Sequence, residues 1–256
     1  MAVQNKSNFN ITSTNGYEDF CLIVAKQVQD QIKNKTDSHL ALPAGHSPRG
    51  YYRLLAQASQ FNEIDWRQVL CFALDDYLDI EEAQSFQSFL ENHLYRFTNL
   101  PANAKFNPRF CDNYDQLIAE QGGIDLCLLG LGTNGHIAFN EPPTPPTSWT
   151  HSVFLTNSTR EANKDAFVSG NFPRIQAGIV SGDISHGSLE AVPRRAVSMG
   201  IATILASKRI ILAVSGEHKK EALKRALYEK PDTDCPASFL TAHSNLLVIT
   251  DFAFGN

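Results

Sequence analysis

A mostly parallel α/β sheet covered by helices on both faces is the fold that this 256-residue sequence predicts, on three observations. Short apolar runs alternate with segments of helical period along the chain. Several runs are apolar at every position, and glycine or acidic residues often stand directly after them. Strands buried on both faces read as unbroken apolar runs, and alternation with helices sets such strands parallel. The expected architecture is a three-layer, doubly wound, modified Rossmann-like sheet. It forms one domain over residues 1–256, with a lid within residues 160–192.

The elements follow in order. Phe20, Ile23, Val24, Val28 and Ile32 recur at helical spacing within Tyr17–Lys33, bounded by Asn15-Gly16 and the polar Asn34–Ser38. Leu40–Leu42 is a short strand stopped by Pro43. The loop Ala44-Gly45-His46-Ser47-Pro48 then leads into a helix over Tyr51–Ala58. A small-residue loop between strand and helix offers backbone N–H groups to an anion. Val69–Leu74 is a second buried strand, ending on Asp75-Asp76-Tyr77. Either one of those carboxylates caps the next turn and the other is solvated, or the pair serves a site. Gln84–Arg96 and Tyr114–Gln121 read as helices. Beyond them Ser152–Leu155, Ile210–Val214 and Asn245–Thr250 read as strands. Regular structure spans Ala196–Leu205, and helices are expected from Glu217 to about Tyr228 and over Pro236–His243. Arg160–His186 is polar, glycine-punctuated and weakly periodic, as functional lids or disordered segments are.

The central stretch is Ile124–Pro142, IDLCLLGLGTNGHIAFNEP. Its buried run Leu126–Leu129 breaks at Gly130, Gly132 and Gly135, which let the backbone turn tightly, and His136, Asn140 and Glu141 follow. Polar groups delivered to the carboxyl end of a buried strand mark the crevice where open α/β sheets bind ligands. The same residues satisfy G-x-G-x-x-G, but prolines at 142, 143, 145 and 146 leave scarcely two turns for the helix that a dinucleotide site needs. No strand ending in an acidic residue follows at the ribose-binding distance either. Asp75, Asp76, His136 and Glu141 are competent metal ligands. The sequence has no H-x-x-x-H or clustered His/Cys pattern, so proton transfer is the reading preferred over a metal.

Composition sets further bounds. A formal net charge of −5 argues against a nucleic-acid partner, and the local cluster Lys219, Lys220, Lys224 and Arg225 reads as a solvated helical face. No apolar run approaches the roughly 20 residues of a membrane span, and MAVQNKSNFN lacks a signal peptide's apolar core. Cys21, Cys71, Cys111, Cys127 and Cys235 form no CxxC pair, which points to free thiols and a cytoplasmic protein.

From about Leu40 to Asp251 the chain resembles the glucosamine-6-phosphate deaminase family (glucosamine/galactosamine-6-phosphate isomerases), which also includes 6-phosphogluconolactonases. The resemblance rests on LPAGHSP (Leu42–Pro48), FALDDYL (Phe72–Leu78) and GLGTNGHIAFNEP (Gly130–Pro142). It extends to RAVSMGIATIL (Arg195–Leu205), SGEHK (Ser215–Lys219) and PASFLTAHSN (Pro236–Asn245). HIAFNEP is similar to the deaminases rather than to the lactonases, and GLGTNGH with PASFL is most similar to the galactosamine-6-phosphate branch.

The resemblance implies aldose–ketose isomerisation of an amino-sugar 6-phosphate with loss of ammonia, without metal or cofactor. Asp75 would move a proton between C2 and C1, while His136, backed by Glu141 and oriented by Asn134, would assist ring opening. Ala44, Gly45, His46 and Ser47 would cradle the phosphate with Lys219, and Asp76 would contact substrate. A sugar phosphate is the expected partner, and a homo-oligomer stays open. The alternatives are a 6-phosphogluconolactonase and a sugar-phosphate-binding regulator that has lost turnover. Three departures stand out. Asn134 replaces an aspartate of the glucosamine enzymes, and a phosphate-contacting arginine falls near Asp165, with Lys164 or Arg160 as substitutes. Gly170–Val192 is also longer than the corresponding family segment, so a lid over the sugar would differ.

Overall fold

A computed structural model describes residues 9–164, 167 and 189–255. Ten strands and seven α-helices alternate among these residues. The strands that build the main sheet are β1 (Phe9–Ser13), β2 (His39–Leu42), β3 (Leu70–Ala73), β5 (Lys105–Phe106), β6 (Leu126–Leu129), β9 (Ile210–Val214) and β10 (Leu246–Thr250). They are all parallel and run in the order β1-β10-β9-β6-β2-β3-β5.

Strand pleating divides the apolar runs between two cores. Leu126 and Leu128 face one side with Leu40, Leu42, Ile211 and Ala213, against α1 (Tyr17–Asn34), α2 (Arg49–Gln60) and α3 (Phe86–His93). Cys127 and Leu129 face the other with Ile210, Leu212 and Val214, against α4 (Tyr114–Glu120), α6 (Ile201–Leu205) and α7 (Lys220–Tyr228). The period of two makes a continuous apolar run serve both layers at once. Helix α1 buries Phe20, Val24, Val28 and Ile32, four residues apart. Glu18 and Asp19 in its first turn and Lys33 in its last complement its dipole.

Strand order reverses between β2 and β6: the chain runs from β2 to β3 and β5 on one side, and from β6 to β9 and β10 on the other. Loops leaving these two strands therefore part to opposite faces, and the gap between them opens a crevice at the strands' carboxyl ends.

A second, antiparallel sheet flanks that crevice. It contains β4 (Asp75–Tyr77), β8 (Arg195–Ser198) and β7 (His151–Phe154), with Asp75 and His151 both opposite Ser198. The sequence predicts one strand over Val69–Leu74 with the aspartates at its end. Instead the chain changes partners at Leu74, whose N–H donates to Leu42 O at 3.2 Å while its carbonyl accepts from Met199 N at 2.7 Å. Asp75 thus opens a new strand. Other boundaries also differ from those the sequence predicts. The Ser85 hydroxyl accepts from Ser88 N, so α3 starts at Phe86 and not at Gln84. Pro236–Ala242 is a 3-10 helix, and Glu217–Lys219 is a 3-10 turn ahead of α7.

Helix α5 (Asn157–Asn163), capped by Thr156, extends into the stretch expected to be irregular. Most of the expected lid lies outside the described residues. Neither β1 nor β5 was expected. All five cysteines are free and four are buried. Among the described residues no helix is long and apolar enough to cross a membrane.

Candidate active site

The crevice holds a cleft of about 530 Å³, walled by the loops after β2, β3, β6 and β9. That volume is typical of small-molecule sites. Four loops meet there because the strand order reverses there.

The loop after β2 contributes Ala44, Gly45, His46 and Ser47. Gly45 has φ +116° with nothing within 4 Å of where a Cβ would stand, so glycine is needed for its conformation rather than for space. Among the described residues the N–H groups of Gly45 and Ser47 have no hydrogen-bond acceptor. Tyr17 Oη fixes the loop by donating to Ser47 O at 3.0 Å and accepting from Gly50 N at 3.0 Å. Opposite, Asp251 holds the turn after β9 by accepting from Ser215 Oγ at 2.6 Å and Gly216 N at 2.8 Å. That turn carries Lys219 into the cleft, where burial lowers its pKa against the opposing pull of Asp251. Lys219 has no ion-pair partner among the described residues. Unpaired N–H groups in the same cleft as an unpaired, partly desolvated ammonium suit an anion such as a phosphate.

Asp75 and Asp76 have opposite environments. Asp75 is 6% exposed, lines the cleft, and has no hydrogen-bond donor among the described residues. Burial, and then the charge of Asp76, push its carboxyl well above the usual range. Asp76 is fully buried, does not line the cleft, and accepts from Tyr77 N (2.8 Å), Phe86 N (2.8 Å), Gln87 N (3.1 Å) and Asn107 Nδ2 (2.7 Å). It binds the start of α3 to β4, which corrects its expected place as a substrate contact. Strand alternation is the reason, since neighbouring residues point to opposite faces. Asp76→Ala is expected to lower stability by about 3 kcal/mol, because three buried donors and one part-buried donor lose their acceptor. Denaturant unfolding monitored by Trp66 fluorescence checks this.

His136 follows β6. Its Nδ1 lies 2.7 Å from Asn134 Oδ1, whose amide Nδ2 donates to Glu141 Oε2 at 2.8 Å; Glu141 itself stands 3.8 Å from Nδ1. Thr156, at the start of α5, approaches both Glu141 oxygens at 3.3 Å through its hydroxyl, and Thr159 Oγ1 lies 3.4 Å from His136 Nδ1. Burial lowers the His136 pKa, and Glu141 raises it in opposition while Lys219 lowers it further. The ring rests on Gly132, where an added Cβ would lie 2.2 Å from Cε1.

Of the expected site residues, Ala44, Gly45, His46, Ser47, Asp75, His136 and Lys219 line the same cleft. Asn134 and Glu141 stand behind His136 and do not line it. Gly132, Thr156 and Thr159 were missed as supports, although threonine is among the residues preferred at an N-cap, as Thr156 is for α5. Among the two basic substitutes, Arg160 is buried and donates to the carbonyls of Leu189 and Val192. Lys164 pairs with Glu161. Neither lines the cleft, and Asp165 lies outside the described residues. Among the described residues no three His, Cys, Asp or Glu side chains gather as a metal ion would need.

A doubly wound α/β protein that brings Asp75, His136, Lys219 and the Ala44–Ser47 loop to one cleft at its strand ends has the layout of a small-molecule site. The chain belongs to the glucosamine-6-phosphate isomerase/6-phosphogluconolactonase family, whose model matches residues 13–178 and 183–249. It is 37% identical over 247 residues to glucosamine-6-phosphate deaminase 2 of Bacillus subtilis (strain 168), covering 92% of each chain. It is 36% identical over 245 residues to the glucosamine-6-phosphate deaminase of Geobacillus sp. (strain WCH70), covering 92% of this chain and 90% of that one. The solved structure of a monomeric glucosamine-6-phosphate deaminase superposes with a TM-score of 0.83 at 32% identity, over 94% of this chain and 96% of that one. A 6-phosphogluconolactonase from Trypanosoma cruzi has a TM-score of 0.68 at 16% identity over 94% and 93% of the two chains, a likeness of fold alone.

Proposed function

We propose that the chain is an aldose–ketose isomerase/deaminase that converts an amino-sugar 6-phosphate and water to a ketohexose 6-phosphate and ammonia. One observation carries the reading: Asp75 and His136 line the same cleft as the Ala44–Ser47 loop and Lys219. Glucosamine 6-phosphate is the substrate that the relatives' names favour. Galactosamine 6-phosphate, suggested by the GLGTNGH and PASFL motifs, is the finer alternative that remains to be measured.

The chemistry follows from the two groups. His136 takes the proton from the anomeric hydroxyl as the C1–O5 bond breaks, its electron pair going to the ring oxygen, and returns the proton there. The Asp75 carboxylate removes the C2 proton of the open aldehyde while a proton passes from the C2 ammonium to O1, giving an enolamine. Returned to C1, that proton leaves an iminium at C2, and water hydrolyses the iminium to the ketone and ammonia. A carboxylate whose pKa is raised by burial is a stronger base than a solvated one, which suits a carbon acid. The loop N–H groups and Lys219 are the groups we assign to the phosphate, and they stand on the loops after β2 and β9 rather than on the strand that carries Asp75. We place the enzyme in the cytoplasm on the strength of its free thiols.

Purified protein is expected to release ammonia from glucosamine 6-phosphate. A parallel assay on galactosamine 6-phosphate reads the C4 preference. Silence on both sugars from folded protein would remove the proposal, and hydrolysis of 6-phosphogluconolactone without amine release would favour the lactonase.

A further inference from the structure

We propose that Tyr17 is a positioning residue: from α1 it caps the start of α2 and so sets the Ala44–Ser47 loop in the shape that receives an anion. The proposal rests on the reading of that loop as a phosphate cradle, and not on the sugar or the reaction. Helix α2 begins without a cap of its own, because its N-cap residue is Pro48, which has neither a side-chain acceptor nor an N–H. The first N–H groups of a helix then need partners from elsewhere. Here all three find them inside the protein. Arg49 N donates to His46 O at 3.4 Å, Gly50 N donates to Tyr17 Oη at 3.0 Å, and Tyr51 N turns to Cys21 Sγ. Tyr17 and Cys21 are four residues apart and share one face of α1.

The phenol works in both directions, since it also donates to Ser47 O at 3.0 Å. A bond from Tyr51 N to that carbonyl would carry the helix back into the loop. With Ser47 O taken by Tyr17, α2 starts at Arg49 and the loop stays outside it. Core packing holds the hydroxyl in place, because the Tyr17 ring stacks on the fully buried Phe20 with centroids 6.0 Å apart. Gly50 allows the close approach: a Cβ there would stand 2.4 Å from Cys21 Sγ and 2.9 Å from Tyr17 Oη. The helix-terminal N–H groups are thus already bonded, and the donors left for an anion are those of the loop. The Gly45 and Ser47 N–H groups and Ser47 Oγ have no partner among the described residues. A phenol has one hydrogen, and Ser47 O holds it, so Tyr17 acts on the anion only through the loop.

Full-length 15N-labelled protein titrated with inorganic phosphate tests this by NMR, without turnover. The Gly50 and Tyr51 amides are expected to be protected from exchange before phosphate is added. The Gly45 and Ser47 amides are expected to exchange freely, then to shift and gain protection as phosphate binds. Tyr17→Phe keeps the ring on Phe20 and removes both hydrogen bonds of the hydroxyl. It is expected to weaken inorganic phosphate about tenfold and to raise KM for glucosamine 6-phosphate by a similar factor. Its kcat should stay within about twofold of wild type, a split that general loosening of the fold would not give. Phosphate that moves the Gly50 and Tyr51 amides instead of Gly45 and Ser47, or that does not bind the wild-type protein, would overturn the proposal. So would a Tyr17→Phe variant that binds phosphate as the wild type does, or that loses kcat at unchanged KM. If the variant does not fold, the wild-type titration decides. The proposed reaction fails separately, if phosphate binds through Gly45 and Ser47 and neither amino sugar yields ammonia.

Discussion

Asp75→Asn is expected to cut ammonia release by about 10³-fold or more while leaving affinity for a sugar 6-phosphate nearly unchanged. The amide has the shape of the carboxylate and cannot take a carbon-bound proton. The groups assigned to the phosphate, Gly45, Ser47 and Lys219, stand on the loops after β2 and β9 rather than on β4. Binding of glucitol 6-phosphate, which has no aldehyde to isomerise, measures affinity without turnover. A loss of binding as large as the loss of rate would contradict the separation of base and cradle.

The same substitution is expected to raise the melting temperature. Asp75 is a buried carboxylate with no donor among the described residues, beside the charge of Asp76, and its pKa is raised in the folded state. A raised carboxyl pKa means the folded chain holds that proton more tightly than the unfolded chain does. Its contribution to stability is present below the ordinary carboxylate range and is lost as pH rises through the raised value. Asparagine carries no such charge. The gap between variant and wild-type melting temperatures should therefore widen with rising pH, which scanning calorimetry at several pH values checks. Gain of stability with loss of turnover is the trade expected where a site is held in a costly state.

Gly132→Ala is expected to lower kcat about 10²-fold with little change in stability. A Cβ there would meet Cε1, Nδ1 and Nε2 of His136 at 2.2, 2.4 and 2.5 Å, so the ring must leave its seat. The obstacle is the end of a side chain and not backbone, and Gly132 is not in the left-handed region. The fold can thus absorb the methyl group while the imidazole loses its place, and a displacement of about 1 Å is enough to produce such a loss. Steady-state kinetics with a thermal melt separates the two effects. A variant that keeps its rate would show that the ring does not need this seat.

How much was legible follows from the kind of information each feature needs. The buried strands, the α/β alternation, and the loops carrying His136 and Ser47 could be read locally, whereas the strand that Asp75 opens could not. Unbroken apolar runs and the glycines or prolines after them depend on nearest neighbours in sequence. Helix α1 and strands β6 and β9 were placed within a residue of their observed limits for that reason. Edge strands β1 and β5 carry weaker patterns, the first with no fully buried residue and the second two residues long.

Residue order by itself determined the sheet's class, the loops that carry the chemistry and the pairing of small-residue turns with polar groups, because periodicity and turn chemistry act over a few residues. Tertiary structure alone decided which aspartate opens onto the cleft, since that depends on Leu74 switching its partner from Leu42 to Met199. It also decided that Arg160 is used by the Leu189 and Val192 carbonyls, and that Asn134 stands between Glu141 and the imidazole. Hydrogen bonds between groups dozens of residues apart exist only once the sheet has brought the strand ends together.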